Sequence, residues 1–332
     1  MIDKRLKVAI AGAGMVTRHH LIAWSRASQV DVVAIQNRTP AKAQLLGSEF
    51  GIPQVYTGLE EMLDKEKPDA LDIAVSMELH AAYARTAAKY DVAILCQKPM
   101  TPTLAESEAL VADIGKKVRF MVHENWRFRP QYRQAAAWIA QGRTGPIQQF
   151  SLSALSSGLL SRNAEGIPMA LARQPFMARM QRFIIMELLI HHLDTIRYLM
   201  GPMVVLGCRT NRLSADVVGE DMALILLKAT NGAFGTVYGN FSAAGYPPLS
   251  RDRLELIGQQ ASIIFENNRL RLIGEKEETL SIDLADAYQK SYDRAIAHFA
   301  ECLRSGQPFE TDCSDNLATL RLVEDAYRQA AR

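Results

Sequence analysis

The sequence predicts an α/β protein: a doubly wound parallel sheet, followed by an α+β domain with an open, mostly antiparallel sheet. Three observations predict it. Strand-like and helix-like runs alternate through the first third of the chain, Gly12 and Gly14 close the first of those strands, and past Val122 the alternation gives way to longer β-rich runs. Strands alternating with helices of ordinary length imply βαβ units, and these imply a parallel sheet covered by helices on both faces.

In order, Lys7 to Ala11 is a short apolar strand and Met15 to Arg26 a helix. Val30 to Gln36 is a second buried strand and Pro40 to Phe50 a second helix. Ala70 to Val75, Leu79 to Tyr90 and Val92 to Cys96 continue as strand, helix, strand, and Leu104 to Ile114 with Val118 to Val122 completes the first domain.

The second domain begins with a helix from Gln131 to Gln141. Strands are expected at Ile147 to Leu155, Met203 to Leu213, Met222 to Leu227, Gly235 to Phe241, Arg253 to Gly258 and Ala261 to Glu266. Asn231-Gly232 is hairpin punctuation between two of them. Amphipathic helices over Tyr288 to Arg304 and Ser314 to Gln329 close the chain. A length of 332 residues fits two domains, divided as 1–123 for the dinucleotide-type half and 124–332 for an α+β half that binds substrate and makes oligomer contacts.

The bulk numbers narrow the function. A hydrophobic share of 48% with 22% charged residues fits a folded soluble protein. A net charge of +2, without a basic tail, gives no field for nucleic acid or a membrane surface, so neither is an expected partner. The apolar stretch around Ile184 to Ile190 is broken by Glu187 and too short to span a bilayer. Cys96, Cys208, Cys302 and Cys313 form no C-x-x-C pair and read as reduced thiols. With no signal-like segment behind Met1, a cytoplasmic protein is expected.

Gly12-Ala13-Gly14-Met15-Val16-Thr17 occupies the G-x-G-x-x-G position between the first strand and helix. There glycines permit a tight turn and close approach of a pyrophosphate, and the helix N-terminus offers free N–H groups and a positive dipole end. The alternative is a plain tight turn, but the strand before and helix after supply the context of a Rossmann dinucleotide site. Thr17 in the third position should loosen helix–strand packing. At the end of the second strand, where an acidic residue would repel a 2′-phosphate, stand Asn37 and Arg38. Both NAD and NADP are compatible, with NAD favoured slightly.

Lys98, in Cys96-Gln97-Lys98-Pro99, lies just past the fourth expected strand, at the carboxyl end where ligands bind in open α/β sheets. Glu187, His191 and Asp194 fall at i, i+4 and i+7, one face of an α-helix, amid apolar neighbours. Buried carboxylate and imidazole groups are costly unless paired or functional, so the set is either a satisfied core network or a catalytic one. A metal site ranks low, because no further ligand cluster accompanies it.

These pieces together resemble the Gfo/Idh/MocA oxidoreductase family over essentially the whole chain. The matching segments are Gly12-x-Gly14 with His20, Ile73 to His80, Gln97-Lys98-Pro99, Asn125-Trp126-Arg127-Phe128-x-Pro130, the helix of Glu187, His191 and Asp194, and Asp315-Asn316-Leu317. Three positions depart from the family's pattern. Gln97 replaces the glutamate of Glu-Lys-Pro, Glu187 an aspartate, and Val75-Ser76 a Thr-Pro pair.

The resemblance implies a sugar or polyol bound between nicotinamide and the second domain's sheet. Lys98 and His191 would contact the reacting hydroxyl, with Glu187 and Asp194 orienting and tuning them. It further implies cofactor contacts from Gly12, Gly14, Met15, Val16, Asn37, Arg38, Ser76, His80, Gln97, Lys98, Asn125 and Trp126. Substrate contacts would come from Lys98, Trp126, Arg127, Arg162, Asn163 and His191. Trp126 reads equally as a core residue, His80 as a helix start, and Arg162 and Asn163 as solvated loop.

The expected function is an NAD(P)-dependent sugar dehydrogenase. Residues 187–197 and 123–128 resemble the pentose 1-dehydrogenase branch, which would oxidise an anomeric hydroxyl, as of D-apiose, to a lactone. Rival readings are an NAD-dependent glycosidase or eliminase with transient sugar oxidation, and a cofactor-sensing regulator without catalysis. An open sheet leaves an apolar face, so a homodimer or homotetramer through the C-terminal sheet is expected.

Overall fold

The computed structural model describes residues 5–331. The first half alternates β1 (Leu6–Ala11), α1 (Met15–Arg26), β2 (Val30–Gln36), α2 (Pro40–Phe50), β3 (Gln54–Tyr56), α3 (Leu59–Glu66), β4 (Ala70–Ile73), α4 (Met77–Lys89), β5 (Ala93–Gln97), α5 (Leu104–Ile114) and β6 (Phe120–His123). All six strands are parallel, in the order β3-β2-β1-β4-β5-β6. The order reverses between β1 and β4, and the crevice at the carboxyl ends there is where such sheets bind dinucleotides. The boundaries have local causes. Pro40 opens α2 and Gly51, at φ 67°, ends it. The Thr103 side chain accepts the Glu106 N–H to cap α5.

The second half runs α6 (Pro130–Ala140), β7 (Ile147–Leu155), α7 (Met169–Arg173), α8 (Ile190–Met200), β8 (Met203–Asn211), β9 (Met222–Ala229), β10 (Phe234–Asn240), β11 (Arg251–Gly258), β12 (Ser262–Glu266), β13 (Arg269–Ile273), β14 (Glu278–Ser281), α9 (Leu284–Ser305) and α10 (Cys313–Ala330). Its sheet has the order β14-β13-β12-β11-β7-β10-β9-β8. Every pairing is antiparallel except β7 with β10. Alternation sets the two faces: Ala223, Ile225 and Leu227 are buried while Leu224 and Leu226 are exposed.

Five elements were not expected from the sequence, one of them the five-residue α7. β3 and α3 are short, and their run from Gln54 to Glu66 carries little hydrophobic periodicity. β13 and β14 extend the second sheet through a turn at Asn267 and Asn268, both left-handed at φ 47° and 63°. An Asn pair fits such a turn because Asn tolerates positive φ.

The chain forms two compact units, and they are not contiguous segments. The first joins the described residues up to Phe128 with Tyr288–Ala318, and the second joins Arg129–Ala287 with the described residues from Thr319 on. This differs from a single boundary after residue 123. The physical reason is the inward face of α9: Tyr292, Ala295, Ile296 and Phe299 belong to the same core as Val8, Ile10, Trp24 and Leu95. Thr311 then bonds β6 through both its carbonyl and its hydroxyl, to the Val122 N–H and carbonyl. All four cysteines are buried and unpaired, as reduced thiols should be. Among the described residues no helix is long and apolar enough to cross a membrane.

Candidate active site

In the first unit, β1 ends in Gly12 at φ 110°, where a Cβ would lie 2.3 Å from the Ala74 carbonyl oxygen. Only glycine lets the turn pass that close to the end of β4. Gly14 caps α1 with extended backbone, and a Cβ there would meet nothing within 4 Å. Gly14 and Met15 are exposed, so the first turn of α1 offers unobstructed amides at the switch point of the sheet. Thr17 is buried, and its hydroxyl accepts the Gly14 N–H at 3.1 Å. The hydroxyl thus closes the cap turn where the fingerprint has a third glycine. This cradle fits a dinucleotide pyrophosphate. At the end of β2, Asn37 donates to the Thr39 carbonyl and Arg38 is exposed.

Lys98 follows the last residue of β5 and is partly buried. Its own N–H donates to Gln97 Oε1 at 2.8 Å. Gln97 Nε2 in turn lies 3.5 Å from His20 Nε2, and His20 Nδ1 donates to Asp72 Oδ2 at 2.8 Å. Trp24 Nε1 donates to the same oxygen at 2.7 Å. With Nδ1 committed to the carboxylate, the second ring nitrogen of His20 is left to accept from Gln97. Burial pushes the neighbouring Cys96 thiol well up, so it stays protonated and inert.

From behind, His80 of α4 braces the same turn. Its Nδ1 lies 2.8 Å from the Pro99 carbonyl oxygen and its Nε2 3.2 Å from that of Val75. Burial lowers its affinity for a proton, so the ring is neutral and donates to the nearer carbonyl, Pro99. The His80 ring is thus buried against backbone carbonyls. Ser76, at the N-terminus of α4, is exposed.

Asn125 is buried and donates to Ser291 Oγ at 2.7 Å, tying the segment after β6 to α9. Arg127 is buried, and its guanidinium reaches the Glu310 carbonyl and Asp315, both at 3.2 Å. Trp126 stays partly exposed, edge-on to Tyr288.

In the second unit, the segment expected as one α-helix begins with a π-helical turn, Ile185–Leu189, that runs into α8. The single α-helical face is therefore corrected. His191 and Asp194, three apart within α8, keep that spacing, while Glu187 lies in the π turn and is half-buried. Asp194 Oδ1 accepts from Thr319 Oγ1 at 2.9 Å, and Arg197 lies 3.5 Å from it. The His191 carbonyl accepts from Thr195 Oγ1 at 2.7 Å. Sequence reasoning missed the ring next to it: His192 Nε2 lies 3.0 Å from Asp252 Oδ1. The partner stands on β11, so nothing local pointed to the pair. Arg162 bonds Asp216 and the Gly166 carbonyl, and Asn163 accepts the Ile167 N–H, so both close their own exposed loop. Among the described residues no cluster of three or more His, Cys, Asp or Glu groups is arranged to hold a metal ion.

Residues 6–124 match the Gfo/Idh/MocA model described as oxidoreductase family, NAD-binding Rossmann fold, and residues 181–332 match the model of its C-terminal alpha/beta domain. The chain is 31% identical to a D-apiose dehydrogenase of Paraburkholderia graminis, over 98% of this chain and 88% of that protein. It is 30% identical to a D-apiose dehydrogenase of Rhizobium rhizogenes, over 98% and 95%. A crystal structure of an oxidoreductase from Agrobacterium radiobacter, in complex with NAD+, L-tartaric acid and magnesium, superposes with a TM-score of 0.91. That chain is 29% identical, and the match covers 99% of this chain and 97% of that one.

Proposed function

Because the chain belongs to the Gfo/Idh/MocA oxidoreductase family, we propose that it oxidises the anomeric hydroxyl of a pentose such as D-apiose, giving a lactone, with NAD as the favoured acceptor. An NAD(P)-dependent sugar dehydrogenase is the coarser reading, and the named relatives support it. The observation that carries the finer one is the full-length likeness to two D-apiose dehydrogenases, in a chain that has Lys98 at the end of β5 and His191 in α8.

Bound nicotinamide supplies the hydride acceptor. The chain's own residues do the rest. The exposed first turn of α1 binds the pyrophosphate through its amides. Lys98 and His191 hold the reacting hydroxyl, and one of them takes its proton as the C–H pair leaves carbon and the carbonyl forms. Gln97 fixes the backbone from which Lys98 projects, and Asp194 braces α8 against Thr319. Trp126, Arg162 and Asn163 remain proposed substrate contacts, the latter two through the loop they close.

We further propose a homodimer or homotetramer through the outer face of the eight-stranded sheet. Val204 and Leu206 of the edge strand β8, Leu224 and Leu226 of β9 and Phe234 of β10 all stand exposed, and apolar surface of this kind favours a partner.

The decisive experiment is a panel of aldoses, polyols and inositols with NAD and with NADP, followed by absorbance of the reduced nicotinamide. Reduction with a pentose, and lactone in the product mixture, is expected. A panel without any net reduction, or reduction only with non-anomeric alcohols, overturns the finer reading.

A further inference from the structure

The proposed chemistry makes no use of His192, the fully buried neighbour of His191. Its Nδ1 lies 3.1 Å from the Leu188 carbonyl oxygen, and its Nε2 3.0 Å from Asp252 Oδ1. A carbonyl and a carboxylate both only accept, so the ring meets an acceptor at each of its nitrogens. The other carboxylate oxygen, Asp252 Oδ2, accepts from Arg129 Nη1 at 3.0 Å and from the Tyr132 hydroxyl at 2.7 Å. Burial alone would push the Asp252 carboxyl up, but the His192 and Arg129 charges outweigh it and hold the carboxyl well below its ordinary range.

The place of this cluster gives it meaning. Leu188 lies inside the π turn Ile185–Leu189, directly before the turn of α8 that carries His191. A π turn is one residue wider than an α turn and tends to occur at functional sites. Were it to relax to α geometry, the residues on one side would rotate by roughly 100° against the other. Space for the wide turn is built into the sheet. Gly239 of β10 faces it, and a Cβ there would come within 2.9 Å of Leu189 Cδ2 and 3.0 Å of Ile184 Cδ1. Buried ion clusters seldom stabilise more than apolar packing of the same volume would, and in some proteins their role is to specify one arrangement over its neighbours.

We infer that His192 is a positioning residue for His191: bonded at once to Asp252 on β11 and to the carbonyl of Leu188 in the π turn, it fixes the rotation at which α8 presents His191. This rests on the reading of His191 as a group that meets the substrate. Arg129 and Tyr132, from the start of α6, hold Asp252 in place for that bond.

The test uses full-length protein with 15N-labelled histidine and the variants Asp252→Asn, His192→Gln and Tyr132→Phe. In Asp252→Asn and His192→Gln, the His191 ring resonances shift and broaden without any ligand. Turnover falls on the order of 100-fold, the effect of a misplaced group, while sugar KM and NADH affinity stay within about 2-fold, far below that loss. Tyr132→Phe, which removes one of the two bonds that hold Asp252 Oδ2 and keeps the one to Arg129, moves both readouts in the same direction by a smaller amount. His192→Gln still reads the idea should Asp252→Asn fail to fold, since it removes the bond to Leu188 and leaves Asp252 paired with Arg129. His191 resonances that superpose on wild type in a folded variant overturn the inference, as does a fall in thermal stability with turnover unchanged. A wild type that oxidises no sugar or polyol sinks the dehydrogenase reading alone, because the spectra still decide whether His192 orients His191.

Discussion

His20 donates its Nδ1 proton to Asp72 at 2.8 Å, and neither side chain is exposed to solvent. The bond fixes the tautomer of His20, leaves its other nitrogen to Gln97, and so connects the middle of β4 to the backbone of Lys98. Replacing His20 with phenylalanine keeps the volume and removes that link. Stability is expected to fall by about 1–3 kcal/mol, the cost of leaving a buried carboxylate short of a donor. Turnover should drop with it, and urea unfolding alongside steady-state kinetics measures both. Unchanged turnover in a folded variant would separate the network from the Lys98 turn.

Lys98→Ala removes a proposed proton-transfer group without touching the cradle of α1. Turnover is expected to fall by about 10²–10⁴-fold, the usual worth of a positioned acid or base. NADH affinity, read by nicotinamide fluorescence, should change little. Full activity in this variant removes Lys98 from the mechanism.

Gly12→Ala places a methyl group 2.3 Å from the Ala74 carbonyl oxygen, on backbone at φ 110°. The turn must move, and the pyrophosphate cradle moves with it. NADH binding by titration calorimetry should weaken at least tenfold, at a stability loss of about 1–3 kcal/mol for the strained backbone. Wild-type affinity would place the dinucleotide elsewhere.

Asp252 links stability to pH. Its carboxyl is held below its unfolded value by His192 and Arg129. Such a group contributes fully above the unfolded pKa of about 3.9 and loses its contribution as pH falls through the folded value. Asp252→Asn is expected to cost about 3–5 kcal/mol at neutral pH, because it leaves the largely buried Arg129 charge without its carboxylate. The gap between variant and wild type should narrow only below about pH 4. Denaturant titrations from neutral to acid pH test this, and a gap that stays constant over that range would deny the pairing.

The outer face of the second sheet bears on assembly. Leu226 and Phe234 are 40% and 49% exposed. A Leu226→Glu, Phe234→Glu double variant should run as a monomer in light scattering if the wild type is a dimer or tetramer. A monomeric wild type ends the proposal outright.

The first half of the fold was legible because its determinants are local. Gly12 and Gly14 mark the turn, whose backbone at Gly12 only glycine allows, and each strand–helix repeat carries its own period. Lys98 was legible as well, since the end of a parallel strand is a fixed place relative to the switch point. The short elements β3 and α3 escaped notice, being too brief for periodicity to register. Asn125 and Arg127 were read as site residues from their place after a strand and from the family motif, and no spacing along the chain told of their partners Ser291, Glu310 and Asp315.

The sequence by itself determined the order of elements, the dinucleotide turn, the lysine at the strand end and the histidine helix, because spacing along one segment suffices for each. Tertiary structure alone decided that α9 returns to the first unit's core, that a π turn precedes His191, and that His20 meets Asp72 and His192 meets Asp252. Those partners lie 52 and 60 residues apart. Their attraction exists only once sheets have formed and water has been excluded, so no window of sequence contains it.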